Sequence, residues 1–469
     1  MTLLPRPLRG RAALAIGAVA ALTLGGVAVS PAVTAAAATG CAVTYTASTW
    51  QGGFSANISI KNLGDPVNGW TLGFTFPDSG QKVVQGWSAT YSQTGAAVTA
   101  RSMSYNGALA TNASTTIGFN GSWTGANPAP TSFTLNGVTC TGSTTPGPTP
   151  TVTPPTNGTP VGINGQLRVC GVNLCNQYNR PIQLRGMSTH GLQWFAKCYN
   201  TASLDALAND WKADLLRISM YVQEDGYETN PPAFTAQVNN LVDMAEARGL
   251  YALIDFHTLT PGDPMYNLDR AKTFFAAVAA RNAAKKNVVY EIANEPNGVS
   301  WATIKSYAEQ VIPVIRANDP DAVVLVGTRG WSSLGVSEGG NESEVVNNPV
   351  NAANIMYTFH FYAASHTDTY RAALSRAATR IPMFVTEFGT VTYTGGGTVD
   401  LASTTTWLNL LDQYKISYAN WTYSDADESS AAFRPGTCSG GTYTGTAVLT
   451  QSGAYMRDRI RTPDNFPTG

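Results

Sequence analysis

Two glutamates carry the chemistry that this sequence could perform. Glu295 follows an apolar run, Val288 to Ile292, and stands within Asn294-Glu295-Pro296. Glu387 closes a second apolar run, Met383 to Thr386, and is followed by Phe388 and Gly389. Each run reads as a buried strand. Proline has no N–H to give a sheet, so the first strand is predicted to end at or just after Glu295. Two strand-end carboxylates on one face are what hydrolysis of a glycosidic bond requires: one protonates the departing oxygen and the other meets the anomeric carbon. The proton donor must be kept neutral at rest, and its counterpart must be ionised beside cationic and hydrogen-bonding neighbours. Arg217 and Tyr362 are the expected partners of Glu387, with an interior ion pair as the alternative for Arg217. His257, Asn294 and His360 would hold the substrate or tune Glu295.

The elements that must position these residues follow from periodicity. Between positions 161 and 469 the pattern predicts strands at Ile182–Met187, Leu215–Met220, Tyr251–Phe256, Val288–Ile292, Val323–Gly327, Ile355–Phe361, Met383–Thr386 and Tyr418–Thr422. Helical patterns fall between most of them: Ser203–Ala213, Ala233–Arg248, Ala271–Lys285, Trp301–Ala317, Tyr370–Thr379 and Thr404–Tyr414. Trp331 to Asn354 is left without an assignment. Eight strands alternating with helices over about 300 residues fit an α/β fold of the (β/α)8 TIM-barrel type, in which chemistry gathers at the C-terminal ends of the strands. A doubly wound sheet is the alternative, but no glycine-rich phosphate loop follows any strand. The strand ends collect His190, Arg217, Tyr221, His257, Asn294, Trp331, His360, Tyr362 and Trp421, including three of the four histidines in the chain.

Of the 469 residues only 13% are charged and the net charge is −1, which points away from nucleic acid and anionic membranes. Ten tryptophans and 20 tyrosines suit stacking on flat neutral ligands. Residues 1–38 read as a signal peptide: Arg6, Arg9 and Arg11, an apolar run from Ala12 to Val29, then Pro31 and small residues. A transmembrane anchor is the alternative. Export leads to an oxidising compartment, and six cysteines fit disulfides there. Residues 39–140 show short alternating segments between turn clusters and read as an all-β sandwich. A Cys41–Cys140 bridge would close it, at about 4–5 kcal/mol by loop entropy. Residues 141–160 are a Thr/Pro-rich linker, able to extend to roughly 60 Å as polyproline-type chain. In the last domain Cys170 and Cys175 flank one tight turn and are expected to pair, which leaves Cys198 with Cys438. A metal site on these cysteines is the alternative, although the spacing is wrong for it and no histidine pair is near. No cofactor is expected.

Two resemblances sharpen this reading. Cys41, Trp50-Gln51-Gly52-Gly53-Phe54, Asn68-Gly69-Trp70, Gln85-Gly86-Trp87, Tyr105-Asn106-Gly107, Gly118-Phe119-Asn120-Gly121 and Leu135-Asn136-Gly137 with Cys140 resemble a family 2 carbohydrate-binding module. The resemblance implies an aromatic strip of Trp50, Trp87 and Tyr105 that stacks on cellulose, with Asn57, Gln85 and Asn120 beside it. Trp70, flanked by apolar strand residues, is expected in the core. Arg185-Gly186-Met187-Ser188-Thr189-His190-Gly191-Leu192-Gln193-Trp194, Asn294-Glu295-Pro296, His360-Phe361-Tyr362-Ala363, Thr386-Glu387-Phe388-Gly389 and Asn420-Trp421 with Ser424-Asp425 resemble the catalytic domain of glycoside hydrolase family 5. That resemblance implies Glu295 as acid/base, Glu387 as nucleophile, net retention and a β-1,4-glucan substrate. It places His190, Trp194, Trp331 and Trp421 in the sugar cleft. Ala426 stands where many relatives carry a lysine that touches the sugar, while Glu428 remains as a polar contact. The function so implied is a secreted endo-β-1,4-glucanase, a monomer that acts on cellulose and related β-1,4-glucans without nucleic acid or, once the signal is removed, membrane. A β-mannanase or xylanase on the same fold, or a non-catalytic polysaccharide-binding protein, are the alternatives.

Overall fold

The computed structural model describes residues 40–50, 52–140, 158–463 and 466. The expected leader, 1–38, lies outside the described residues, as do positions 141–157 of the expected linker and the side chain of Trp50.

The N-terminal unit is two packed antiparallel sheets. One joins Cys41–Trp50, Gly53–Asn62, Ser114–Ser122 and Lys82–Trp87; the other joins Val138–Thr139, Phe133–Leu135, Thr71–Thr75, Ala97–Ser102 and Ala89–Thr94. Strand side chains alternate between faces. Phe54, Ala56, Ile58 and Ile60 are accordingly buried, while Ser55 and Asn57 fall on the outer face. The core is aromatic, with Phe74 stacked on Phe119 at 6.0 Å and Phe54 meeting Phe119 edge-on at 5.6 Å. Trp70 is buried as expected, and its indole N–H donates to the Asn106 carbonyl at 2.8 Å. Cys41 and Cys140 form the expected bridge.

The second unit is a closed barrel of eight parallel strands. In order they are Arg185–Ser188, Leu215–Tyr221, Tyr251–His257, Val288–Glu291, Val323–Val326, Ile355–Tyr362, Met383–Gly389 and Tyr418–Trp421. Strands covered on both faces read as continuous apolar runs, which is why periodicity found all eight. Outward side chains such as Leu216, Ile218, Ile254, Phe256 and Tyr290 pack beneath the helices. Inward ones build a floor from Leu215, Leu253, Val289, Leu325, Met356 and Phe384. Two residues further along the same strands, at the next inward positions, stand Arg217, Asp255, Glu291, Thr358 and Thr386, all fully buried. The barrel interior therefore changes from apolar to ionic in a single layer, and the candidate residues sit on that layer or above it.

The helices hold to within about one turn. Pro231–Glu246 and Trp301–Arg316 start from Asn230 and Ser300, whose side chains accept N–H groups of the first turn. The expected helix at Ser203–Ala213 is instead Thr201–Asp205 followed by a π-turn, Ala206–Asp210. The unassigned stretch after strand five holds only short turns, Arg329–Ser332, Val336–Glu338 and Ser343–Val346. A terminal helix, Gln451–Ile460, was not foreseen. The bridges Cys170–Cys175 and Cys198–Cys438 are both present, the second tying the loop after strand one to the loop after strand eight. Among the described residues no helix is long and apolar enough to cross a membrane.

Two strand ends need correcting. Strand four stops at Glu291, not beside Glu295, which lies in the loop beyond it. The Asn294 carbonyl there accepts from the Ser332 hydroxyl at 2.6 Å and the Pro296 carbonyl from the Trp331 N–H at 3.1 Å, so strand five's loop braces this turn in place of a ladder. Glu387 is not terminal either: strand seven continues to Gly389, past a register shift between Val385 and Phe388 against strand eight. Such an irregularity re-aims side chains locally.

Candidate active site

Arg217 is the hub. Its guanidinium is fully buried, with Nε donating to Glu291 Oε2 at 2.8 Å, Nη1 to Glu387 Oε2 at 3.1 Å, and Nη2 lying 2.9 Å from Asp255 Oδ2. Nη2 also donates to Asn294 Oδ1 at 2.6 Å. A planar cation with five donors can satisfy several acids at once, which lysine could not.

The two candidate carboxyls are held in opposite states. Burial pushes Glu387 up, but the charges of His360 and Arg217 outweigh it and hold the group below its ordinary value, helped by the Tyr362 hydroxyl at 2.9 Å. Burial likewise pushes Glu295 up, the charge of Glu387 adds to it, and the His360 hydrogen bond does not cancel them, so Glu295 ends raised. His360 Nδ1 lies 2.9 Å from Glu295 Oε1. Burial alone would lower His360, but the nearby Glu291 carboxylate, the hydrogen bond with Glu295 and the surrounding carboxylates lift it to about 9. One donor atom each from Glu295, His360 and Glu387 falls within a mutual 4.8 Å. Arg217 and Tyr362 already occupy Glu387, and both His360 nitrogens are engaged, so this trio is arranged to share protons rather than to ligate an ion.

These carboxyls open into a cleft of about 610 Å³ lined by His190, Tyr221, His257, Trp331, Tyr362, Trp421 and Glu428, among others. His257 Nδ1 is 2.6 Å from Asp255 Oδ2 and its ring stacks on Tyr221 at 4.1 Å. Burial, then the charge of Arg217, lower His257 to about 3, so it is a neutral ring at working pH. His190 packs against Trp421 at 4.8 Å, and the Trp421 indole donates to Glu428 Oε1 at 3.1 Å. Trp194 and Trp331 are 43% and 44% exposed, large rings left open beside a cleft, as a stacking role needs. Trp331 is held at φ 56°, a left-handed conformation that bulky residues rarely adopt. Arg217 and Asn294 do not line the cleft; they lie beneath it and position what does.

Sequence reasoning gave no role to Asp255, Glu291 or Thr386. All three stand at inward positions of apolar runs, and that signal, a charged or hydroxyl residue inside a buried strand, was there to be used. It also missed His366 and Tyr393, which line the cleft from loops without periodicity, and Tyr370, which lines it from the first turn of the helix Asp368–Ala378.

In the N-terminal sheet, register places Asn57 opposite Gly118, Gln85 opposite Asn120 and Trp87 opposite Gly118, so Trp87, Asn57, Gln85 and Asn120 share the outer face. Tyr105 is open, at 69% exposure, in the turn after Ser102. Trp87 differs from the open ring expected: it is only 8% exposed and lies over Gly118, where an added Cβ would come within 2.3 Å of it.

Comparison with known proteins agrees with the two resemblances. Residues 175–427 match the model of cellulase (glycosyl hydrolase family 5), and residues 41–140 match that of the cellulose binding domain. The chain is 71% identical over 436 residues to endoglucanase CelA of Streptomyces lividans, spanning 92% of this chain and 95% of that one. It is 50% identical over 467 residues to endoglucanase E-5 of Thermobifida fusca, spanning 97% and 99%. The crystal structure of the catalytic domain of Thermobifida fusca endoglucanase Cel5A in complex with cellotetraose superposes with a TM-score of 0.65 at 60% identity, covering 65% of this chain and all 100% of that one.

Proposed function

Because this chain belongs to glycosyl hydrolase family 5, the cellulases, with a cellulose-binding domain ahead of its barrel, we propose that it is a secreted, retaining endo-β-1,4-glucanase with Glu295 as acid/base and Glu387 as nucleophile. The observation that carries this reading is the approach of a Glu295 carboxyl oxygen to one of Glu387 within 4.8 Å. Retaining enzymes separate their carboxyls by about 5–5.5 Å, whereas inverting ones need about 6.5–9.5 Å to admit a water between.

In the first step Glu295 gives its proton to the glycosidic oxygen as that bond breaks, and a Glu387 oxygen bonds the anomeric carbon from the opposite face. Glu295, now ionised, takes a proton from a water that attacks the same carbon, and Glu387 leaves as carboxylate. Both carboxyls are restored, and two inversions give net retention. Arg217 and Tyr362 keep Glu387 ionised and aimed, and His257 and Asn294 pack beside it as neutral polar groups. His190, Tyr221, Trp421 and Glu428 form the wall on one side of the pair, and Trp331 that on the side of Glu295, with Trp194 at the rim. Three disulfides suit an oxidising compartment, which supports residues 1–38 as an export signal. The sandwich, 39–140, would hold the enzyme on cellulose through Trp50, Tyr105 and the polar side chains Asn57, Gln85 and Asn120, with 141–160 as tether.

The test is the anomeric configuration of the first product, followed by NMR. β-Product that mutarotates later is expected; α-product at the earliest time points would overturn retention. Carboxymethyl-cellulose should be cleaved at least tenfold faster than mannan or xylan, and a reversed order would overturn the substrate assignment.

A further inference from the structure

Glu291 and Thr386 lie under the cleft, touch no substrate space and have no part in the mechanism above, yet they complete a continuous path between the two carboxyls. Glu295 Oε1 meets His360 Nδ1 at 2.9 Å, His360 Nε2 meets Thr386 Oγ1 at 2.8 Å, and that hydroxyl donates to Glu291 Oε1 at 2.6 Å. Glu291 Oε2 then accepts from Arg217, whose Nη1 reaches Glu387. We propose that Thr386 and Glu291 are positioning residues for the acid's proton, holding a hydrogen on His360 Nε2 so that Nδ1 is left to share the proton of Glu295. This rests on the reading of Glu295 as acid/base.

The direction of each hydrogen bond follows from what each group can donate. Burial opposes ionisation of Glu291, but Arg217 and His360 bring it down to about 2, so it only accepts. A hydroxyl has one hydrogen, and Thr386 spends it on Glu291. Its oxygen must then accept, and the donor is His360 Nε2. Without Thr386 this could not be direct, because Nε2 is 3.7 Å from Glu291 Oε1, beyond hydrogen-bond range. With its hydrogen held on Nε2, a neutral His360 turns a lone pair toward Glu295. An ionised Glu295 would then face that lone pair, so the pair keeps its shared proton to higher pH. Freed from Thr386, the ring could put its single hydrogen on Nδ1 and satisfy an ionised Glu295, and the acid's proton would leave at lower pH. Glu291's negative charge acts in the same sense. The other charged or titratable groups around His360 are Glu387 on strand seven, Arg217 on strand two, Asp255 and His257 on strand three, and Tyr362 and His366 on strand six and its loop. None of them bonds to its Nε2.

The experiment is the pH dependence of kcat/KM on carboxymethyl-cellulose for the full chain and for Thr386→Val, Thr386→Ser, Glu291→Gln and Glu295→Gln. Thr386→Val keeps the shape of a fully buried side chain and loses only the hydroxyl, so it is the deciding variant. Its alkaline limb should move toward acid by about one pH unit, the scale of one lost charge-assisted hydrogen bond. Thr386→Ser should restore the limb, and Glu291→Gln should move it the same way where that variant folds. Thr386→Val with a lower rate at every pH and an unmoved limb, or Thr386→Ser failing to restore it, would reduce Thr386 to packing and overturn the proposal. Glu295→Gln with wild-type rates would instead remove the acid assignment itself, an outcome distinct from failure of the relay.

Discussion

Glu387→Gly is expected to lower the rate on cellulose by on the order of 10⁵-fold, as loss of a covalent nucleophile does elsewhere. What remains is informative. Removing the side chain opens a small anion-sized space beside Arg217 Nη1 and the Tyr362 hydroxyl, the groups that now hold the carboxylate. Azide can enter there, and Glu295 is still present to protonate the leaving oxygen. Attack from the face Glu387 occupied displaces the leaving group once, so a β-glucan chain gives an α-glycosyl azide. Activity should recover by at least tenfold in azide with that product. A β-glycosyl azide would mean that azide had intercepted a covalent intermediate formed elsewhere, and that Glu387 was the acid/base. No recovery together with unchanged wild-type-like hydrolysis would remove Glu387 from the chemistry altogether.

Where the sequence was readable, one physical regularity made it so. Every barrel strand is covered on both faces, so each shows as an apolar run, and the residues just past each run could be collected as one rim. That rim held His190, Tyr221, His257, His360, Tyr362 and Trp421, all of which meet in the cleft. Arg217 was also found, though as a partner of Glu387 alone. Its ties to Glu291, which is 74 residues away, and to Asp255 depend on barrel closure, which no local pattern encodes. The end of strand four was misplaced for a related reason. Proline marks where a ladder cannot continue, but the chain had already left the sheet after Glu291, and braces from Trp331 and Ser332 took over. Those braces come from the stretch that periodicity left unassigned. Tyr393 and His366 sit on loops whose shape is set by individual hydrogen bonds, such as the Ser365 hydroxyl accepting the Tyr393 N–H at 3.1 Å. Trp87 shows the limit of a resemblance: a place in the aromatic strip implied an open ring, whereas Gly118 opposite it provides the bed on which the ring lies.

Arg217→Met is expected to damage stability as well as activity, and the pH dependence separates the two causes. In the native barrel one guanidinium faces three buried carboxyls, Asp255, Glu291 and Glu387. Methionine fills much of the same volume but leaves those charges with no cation among them except His360. Stranding buried charge in this way costs about 3–5 kcal/mol, which for a domain of this size is a fall in melting temperature of about 10 °C at pH 7. The sign with pH then differs between the two proteins. In the wild type Glu291 is depressed to about 2 in the folded state, against roughly 4.3 when unfolded, so its contribution is complete above the unfolded value and is lost only as pH falls from there toward the folded one. Between pH 8 and 5 that contribution is constant. In the variant Glu291 and Glu387 lose the cation that held them down, and burial raises them, as it already raises Asp255 in the wild type. A raised carboxyl destabilises the folded state above its unfolded value, and the penalty is relieved as pH falls and the group takes up a proton. The melting temperature of Arg217→Met should therefore rise toward the wild type's as pH is lowered from 8 to 5, while activity stays at least 10³-fold down because a protonated Glu387 cannot attack. Thermal melts at pH 8, 6.5 and 5 measure this directly. An equal deficit at all three would mean that Arg217 stabilises the barrel by packing, and that the ionic layer is held together by something other than its charge.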